Sequence, residues 1–392
     1  MFTYQGAEHS RFTHSLGVMH LTSRALGQLA LTSDLREEER TIARAAALVH
    51  DLGHGPFSHL IEKIFRFKHE DWTRRIIGDE STEVNQILTN YDRKLPEKLD
   101  DVYSHTGSPA FISQLVSSQL DCDRMDYLLR DSLMTGVKYG VFDLEWVLHT
   151  LRADPDSGRI YVESRGLHAV EEYLQARYYM FRQVYLHRTL RSAEAVLTSA
   201  LRRAAQISAE DGKSPAANLD EVLDKMLTGR AVTTFEYLEL DDSNLIFCLK
   251  KWTAHRDPIL SDLARRFINR RLFKAIDLEL GPDQMQPFIE GASKIISDLG
   301  FDPRYYMIVD RAEDIPYYAY YAPGEADPKG LIYVETNSPA RRIREISEIS
   351  EVVRAMRGFR IERACVPTTA YAEVRRFYYD LTSRLGAGRG AN

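Results

Sequence analysis

ALVHDLGHGPFSH, residues 47–59, runs from an apolar helix end into His50 and Asp51 and on into a Gly- and Pro-containing turn that carries His54 and His59. Adjacent His and Asp side chains reach one metal ion only where the backbone holds them as a fork, and a helix end does this. Upstream, RFTHS at 11–15 adds His14; downstream, the run Asp121-Cys122-Asp123 adds a carboxylate from a distant part of the chain. Two imidazoles and two carboxylates suit manganese, iron, zinc or magnesium with positions left for water, as in a hydrolytic site rather than a closed structural one. A lone His-Asp pair more often marks a surface helix end. Here His14, His50, His54, His59 and His69 are five of the chain's 12 histidines, a density that ordinary solvated loops rarely carry.

The rest of the composition fits a soluble cytoplasmic enzyme. A chain of 392 residues with 44% hydrophobic content supports two or three domains with buried cores. A net charge of -6 argues against a dedicated nucleic-acid binder and leaves room for a local basic pocket. Cys122, Cys248 and Cys365 are scattered, without CxxC spacing, and read as reduced thiols. No secretory apolar segment opens the sequence, and no apolar run approaches the ~18 residues of a membrane span.

The pattern predicts helices to about Lys274. His14 to Leu31 carries an apolar stripe of Leu16, Met19, Leu26 and Leu29, ended by Thr32-Ser33-Asp34. A second helix spans Arg36 to Leu52, with Gly53 as a left-handed cap. A third, from Ser108 to Leu133, delivers Asp123, and in one register Asp123, Tyr127 and Arg130 or Asp131 share a face. Arg130 and Asp126 read as a solvated face with intrahelical ion pairs. Asp154 to Ser164 reads as a short hairpin, Leu167 to Gln206 as helix, and Gly212 to Asn218 as a polar, protease-sensitive loop. Beyond Asp277 the segments YYMIVDR, YYAYYAPG, GLIYVET and FRIERACVP are β-rich, with helices at Gln284 to Leu299 and Ile343 to Met356 and a disordered GAGRGAN tail. The tyrosines there read as core or subunit contact rather than as a platform for bases.

HSRFTHSLGVMHL at 9–21, HDLGHGPFSH at 50–59, KHE at 68–70 and LDCDRMDYLLRDS at 120–132 resemble the HD-domain superfamily. Within it they resemble the deoxynucleoside triphosphate triphosphohydrolases, the group that includes the SAM-and-HD-domain proteins and their bacterial relatives. The likeness continues through GLHAVEEYLQARYYMFRQVYLH, ending at His187, and more weakly through RRLFKAI at 270–276 and REISEISEVVRAMR at 344–357. It implies a mostly α fold, with an HD-domain phosphohydrolase core over 1–275 and a smaller α+β region over 276–392 that serves assembly or regulation. Family members usually carry a few dozen residues before the RFxH segment, including a Gln-containing stretch near the sugar. This chain begins almost on the motif, so either the start is truncated or that wall of the pocket comes from elsewhere.

The resemblance assigns the metal, manganese or magnesium first and iron or zinc next, to His14, His50, Asp51 and Asp123. Such an ion polarises a phosphoryl oxygen and lowers the pKa of bound water. Arg11, Arg124 and Arg177 supply fixed charge to phosphates, and Tyr127, Asp131 and Tyr185 complete the substrate side. Cleavage then falls between the nucleoside 5′ oxygen and the α-phosphorus. His54 and His59 orient the nucleophile and protonate the leaving oxygen, with His69 and Glu70 as an outer relay. Glu62, one turn beyond His59, reads equally as an orienting partner or a surface carboxylate. Arg270 and Lys274, in a basic segment, are candidates for contact with an activating nucleotide, and a homo-oligomer, at least a dimer, is expected. The competing readings are another HD phosphohydrolase, such as a nucleotidase, phosphodiesterase or nuclease, and a nucleotide-sensing assembly protein.

Overall fold

A computed structural model describes residues 2–211, 220–314, 317, 330–337 and 342–386. The 212–218 loop, the YYAYYAPG segment beyond Tyr317 and all but the first residue of the GAGRGAN tail lie outside the described residues. The first core begins with α1 (Arg11–Leu29), whose Ser10 hydroxyl caps it by accepting the Thr13 N–H. Its buried face is His14, Val18, Leu21, Ala25, Leu26 and Leu29. The expected stripe is therefore shifted, because Leu16 is exposed and His14 takes a core position. Ala43, Ala46 and Ala47 of α2 (Glu37–Val49) are fully buried and let α1 lie close against it. The helix ends one turn before Leu52, placing His50 at its C-cap.

Short helices follow: α3 (His59–Phe65), α4 (His69–Gly78), α5 (Glu83–Tyr91), α6 (Leu95–Tyr103) and α7 (Ala110–Val116). Then come α8 (Cys122–Thr135) and α9 (Leu144–His149). The single helix expected over 108–133 is broken between α7 and α8. Asp121 ends the break as the N-cap of α8, its carboxylate accepting the N–H groups of Arg124 at 2.7 Å and Ser118 at 2.8 Å. The hairpin of β1 (Leu151–Ala153) and β2 (Ile160–Val162) starts three residues before the expected 154–164, so that its first strand precedes that segment and only the turn and β2 fall inside it.

The long helix expected over 167–206 is interrupted as well. α10 (Leu167–Met180) passes into a π-turn, Phe181–Tyr185, before α11 (Arg188–Asp211) starts. The chain then builds α12 (Glu221–Leu227), α13 (Thr234–Leu238), α14 (Asp242–Trp252), α15 (Pro258–Ile268) and β3 (Lys274–Asp277). After these come α16 (Pro282–Asp298), α17 (Pro303–Tyr306) and β4 (Ile308–Asp314). The last elements are β5 (Tyr333–Glu335), β6 (Ile343–Glu345), α18 (Ile346–Ile349), α19 (Glu351–Ala355), β7 (Phe359–Val366) and α20 (Thr368–Gly386). The helix expected over 343–356 starts instead as strand β6, because Ile343 to Glu345 pairs antiparallel with β5.

Among the described residues two sheets result, ordered β1-β2-β5-β6 and β3-β7-β4. The first extends the core made by α1, α2, α7, α8 and α10, with Ile332, Val334, Ile346 and Val353 packed into it. The second backs a core of α11, α14, α15, α16 and α20 around Trp252 and Phe288. The architecture is mostly α with a smaller α+β portion. Among the described residues, no helix is long and apolar enough to cross a membrane.

Candidate functional site

The end of α2, the start of α1 and the first turn of α8 converge on one point. His14 Nε2 lies 3.0 Å from Asp123 Oδ1 and 3.8 Å from Asp51 Oδ2. His50 Nε2 lies 3.3 Å from Asp51 Oδ1 and 3.6 Å from Asp123 Oδ1. His50 Nδ1 donates to the Ala47 carbonyl at 2.9 Å. A carbonyl only accepts, so Nδ1 carries a proton and Nε2 is the nitrogen that faces the carboxylates; burial opposes a charged ring, but Asp123 and Asp51 outweigh it and raise the His50 pKa. That Nε2 is buried and makes no hydrogen bond. A divalent cation fits this vacancy in bonding and this mixed N/O donor set. Burial opposes ionisation of Asp51, but His54, His50 and Arg11 outweigh it and hold its carboxyl well below the usual range. Arg11 bonds to Asp51 and also donates to the Ser58 hydroxyl at 2.5 Å, so it closes the rim.

One residue assigned to a solvated face belongs inside. Asp126 is buried and accepts from His14 Nδ1 at 2.7 Å and from Arg130 Nε and Nη2 at 2.7 and 2.9 Å. Its approach depends on Gly17, where a Cβ would lie 2.0 Å from Asp126 Oδ1. The i, i+3, i+7 spacing of Asp123, Asp126 and Arg130 puts the three on one face, a pattern that a solvated helix shares. Burial disfavours a charged His14, yet the bonds to Asp123 and Asp126 outweigh it and push its pKa up to about 10.

A second group adjoins the first through His54. Its Nε2 is 3.5 Å from Asp51 Oδ1, while its Nδ1 is 3.0 Å from Glu62 Oε1. His59 Nδ1 is 3.1 Å from the same oxygen, and His69 Nδ1 donates to Glu62 Oε2 at 3.1 Å. The His54 and His69 rings stack with centroids 3.7 Å apart. Glu62 therefore sits at the hub, and the outer relay residue Glu70 lies at the edge, with a side chain 59% exposed and 3.5 Å from His69. Glu62 on α3, one turn after His59, was the only sequence cue.

The loop that presents His59 is strained: Phe57 and Ser58 have φ of 53° and 50°. Phe57 N–H is pinned to Asp242 Oδ1 at 2.8 Å. Gly53 is not left-handed, contrary to the cap expected from sequence. What it supplies is space, since a Cβ there would lie 1.9 Å from the His69 carbonyl oxygen. Thr73 Oγ1 accepts the Gly53 N–H at 2.9 Å and donates to the His50 carbonyl at 3.0 Å, and the Tyr237 hydroxyl donates to the Gly53 carbonyl at 2.6 Å.

On the substrate side, the Tyr185 hydroxyl donates to Asp131 Oδ2 at 2.8 Å, His9 Nε2 lies 2.7 Å from Asp131 Oδ1, and the Tyr127 and Tyr185 rings meet edge to face. The π-turn brings Tyr185 to this network. Arg124 Nε donates to the Ser118 carbonyl at 2.8 Å. Arg177 is buried, paired with Asp314 at 2.9 Å and stacked over Phe181. Arg270 and Lys274 are exposed at the end of α15 and on β3.

The profile of the HD domain matches residues 11–131, and that of the HD associated region matches residues 142–222. The uncharacterized protein YwfO of Bacillus subtilis is 42% identical over 338 residues, which make up 86% of this chain and 76% of that protein. A deoxynucleoside triphosphate triphosphohydrolase SAMHD1 homolog of Dictyostelium discoideum is 28% identical over 300 residues, 70% of this chain and 52% of that relative, so the chain spans about half its length. The crystal structure of a phosphohydrolase from Bacteroides thetaiotaomicron superposes with a TM-score of 0.76 at 28% identity, covering 93% of this chain and 89% of the other. With its metal donors and histidine group inside the matched HD region, the chain belongs to the HD-domain phosphohydrolase superfamily.

Proposed function

We propose that this protein hydrolyses deoxynucleoside triphosphates to deoxynucleoside and inorganic triphosphate. The observation that carries the reading is the two-sided placement of His54, 3.5 Å from Asp51 on one edge and 3.0 Å from Glu62 on the other. It sets a proton-handling group directly beside the metal donors. Relatives named as deoxynucleoside triphosphate triphosphohydrolases supply the substrate class. A divalent cation held by His14, His50, Asp51 and Asp123, manganese or magnesium by preference, supplies Lewis acidity at a phosphoryl oxygen.

The chain's own residues do the rest. Arg11, at the rim, meets the phosphates with a forked charge. His54 holds the attacking water in line with the α-phosphorus. His59, the outermost imidazole of its group, protonates the departing 5′ oxygen, and Glu62 fixes its ring for that transfer. Asp131 and Tyr185 form the wall against which the sugar rests. Water adds its oxygen to the α-phosphorus and gives a proton to His54, the P–O5′ bond breaks as His59 protonates the leaving 5′ oxygen, and the products are the deoxynucleoside and one triphosphate anion, after which proton exchange with solvent restores both imidazoles. We further propose a homo-oligomer in which the exposed Arg270 and Lys274 meet an activating nucleotide, and the region over 276–392 serves assembly.

The test is to incubate the protein with each dNTP and manganese or magnesium, singly and in mixtures, and to identify products by chromatography and phosphorus NMR. Deoxynucleoside and intact triphosphate without monophosphate is the expected result. Nucleoside monophosphate, or orthophosphate from the first time point, overturns it in favour of another HD phosphohydrolase.

A further inference from the structure

We propose that Tyr237 and Asp242 are positioning residues for the hydrolysis: they hold the two ends of the turn that carries His54 and His59 and so set both imidazoles against the metal donors. The site is divided between the two cores. His14, His50 and Asp123 stand on α1, at the end of α2 and on α8, which pack in the first core. The histidine turn belongs to the second. Ile61, two residues after His59, is fully buried there, and Phe57, Leu60 and Ile64 pack against the same core. Something must therefore fix the turn relative to the metal donors.

Two groups from one short stretch of chain do so. The Tyr237 hydroxyl, on α13, donates at 2.6 Å to the Gly53 carbonyl, in the peptide bond that leads into His54. Tyr237 is buried, its ring lies flat on Trp72 of α4 with centroids 3.8 Å apart and planes at 4°, and a Cβ at Gly55 would come within 3.0 Å of its hydroxyl. The ring cannot swing away, so the carbonyl is held where the hydroxyl meets it. At the other end Asp242, the first residue of α14, accepts the Phe57 N–H at 2.8 Å. Phe57 and Ser58 sit at φ of 53° and 50°, a region that residues other than glycine keep only where their surroundings compel it. The bond to Asp242 does this two residues before His59, helped by the Phe57 ring, set edge-on to Phe267 of α15 at 6.0 Å.

The stretch that supplies both groups is itself fixed. Thr233 and Glu236 cap the start of α13 reciprocally, Glu236 also meets Lys225, and Asp241 caps α14 by accepting the Ser243 and Asn244 N–H groups at 2.7 and 3.2 Å. Tyr237 and Asp242 lie beyond both matched family regions, so the alignment of the histidine turn depends on a part of the chain outside the HD domain. The metal donors do not depend on it in the same way. His50 is held by the Ala47 carbonyl and by Thr73, and His14 by Asp126, none of which touches α13 or α14 through these bonds. Loss of either contact should misplace the imidazoles and spare the cation.

That the turn moves protons rests on the proposed function; the two contacts do not. Tyr237→Phe, Asp242→Ala and Asp242→Asn, each shown to be folded by thermal melt, are assayed in manganese with dGTP and, in parallel, with bis(p-nitrophenyl) phosphate. Tyr237→Phe and Asp242→Ala are expected to lower kcat by about 10–100-fold with KM and the calorimetric affinity for manganese unchanged. Asp242→Asn, whose amide oxygen still accepts the Phe57 N–H, is expected to recover most of the loss. Hydrogen exchange read on the peptide that spans the turn is expected to quicken about tenfold or more in Asp242→Ala and to stay near wild type in Asp242→Asn. Unchanged exchange in Asp242→Ala, or unchanged turnover in both Tyr237→Phe and Asp242→Ala, overturns the proposal. So does a fall in manganese affinity that matches the fall in kcat. A wild type that cleaves the synthetic diester and no dNTP, with variants that lose the diester activity in the same pattern, upholds the positioning role and removes the dNTP reading.

Discussion

His14 and His50 are aimed by the same device with different partners: each Nδ1 is held 2.7–2.9 Å from an oxygen, a carboxylate of Asp126 in one case and the Ala47 carbonyl in the other. The partner fixes which nitrogen faces the cation. Asp126→Ala is expected to weaken manganese binding by about 10–100-fold while the protein stays folded, and Gly17→Ala to act in the same direction by displacing Asp126. Calorimetric titration with manganese checks both. A second expectation follows from the pKa of about 10 at His14. Because the folded value is raised, the stability that the protonated ring gives the metal-free protein is complete below about 6.5 and is lost as pH rises through about 10. The cation must displace the Nε2 proton, so its affinity climbs with pH over the same interval. Calorimetry in buffers of different ionisation enthalpy should show protons released on binding near pH 7.5. The candidate metal donors were legible because their residue types and order are themselves the signal. Asp126 was not, because an acidic residue four before an arginine has the same pattern on a wet helix as in a buried network.

At the scale of elements, sequence periodicity located the helices and misjudged where they stop. Asp121 looks like a helix-interior residue, yet its carboxylate caps α8 and breaks the predicted helix in two. An Asp carboxylate competes with the helical carbonyls for nearby N–H groups, and here it takes those of Ser118 and Arg124, a local alternative that apolar periodicity does not register. Gly53 was read as a conformational need and is a packing need, a distinction invisible without knowing that α4 crosses the turn. Gly53→Ala is accordingly expected to destabilise the fold by about 1–3 kcal/mol through overpacking and to shift His69 away from Glu62. Thermal unfolding and turnover should fall together. If only stability falls, the crossing of α4 is not what aligns His69.

Across the whole molecule, the two cores are joined by buried charge. Arg177 pairs with Asp314, Arg191 holds Asp310 in a two-pronged contact, and Arg363 reaches both Asp277 and the Leu186 carbonyl. Helices α10 and α11 are thus bolted to the β3-β7-β4 sheet on either side of the π-turn. Asp310→Ala removes the buried partner of Arg191 and is expected to cost about 3 kcal/mol, read as a lower melting temperature. Strand β5 pairs in parallel with β2 and so closes the first core from far along the chain. A chain truncated after Asp277 is expected to aggregate, because the apolar seat of Val334 and Ile346 is then bare; size-exclusion chromatography would show it. None of this joining was legible, since ion pairs 119 and 137 residues apart leave no local pattern. The π-turn at Phe181–Tyr185 carries a further implication for how such chains can vary in length. A π-turn holds one residue more than the α-helix it interrupts, so losing one there would swing everything downstream by about 100° and draw it in by ~1.5 Å. Tyr185 would leave Asp131, and Arg188, 3.0 Å from Asp277, and Arg191, on Asp310, would miss their carboxylates at once. Insertions and deletions accumulate easily in loops such as 154–159. At this turn the count of residues is itself under constraint, and an alignment of relatives should show it free of gaps.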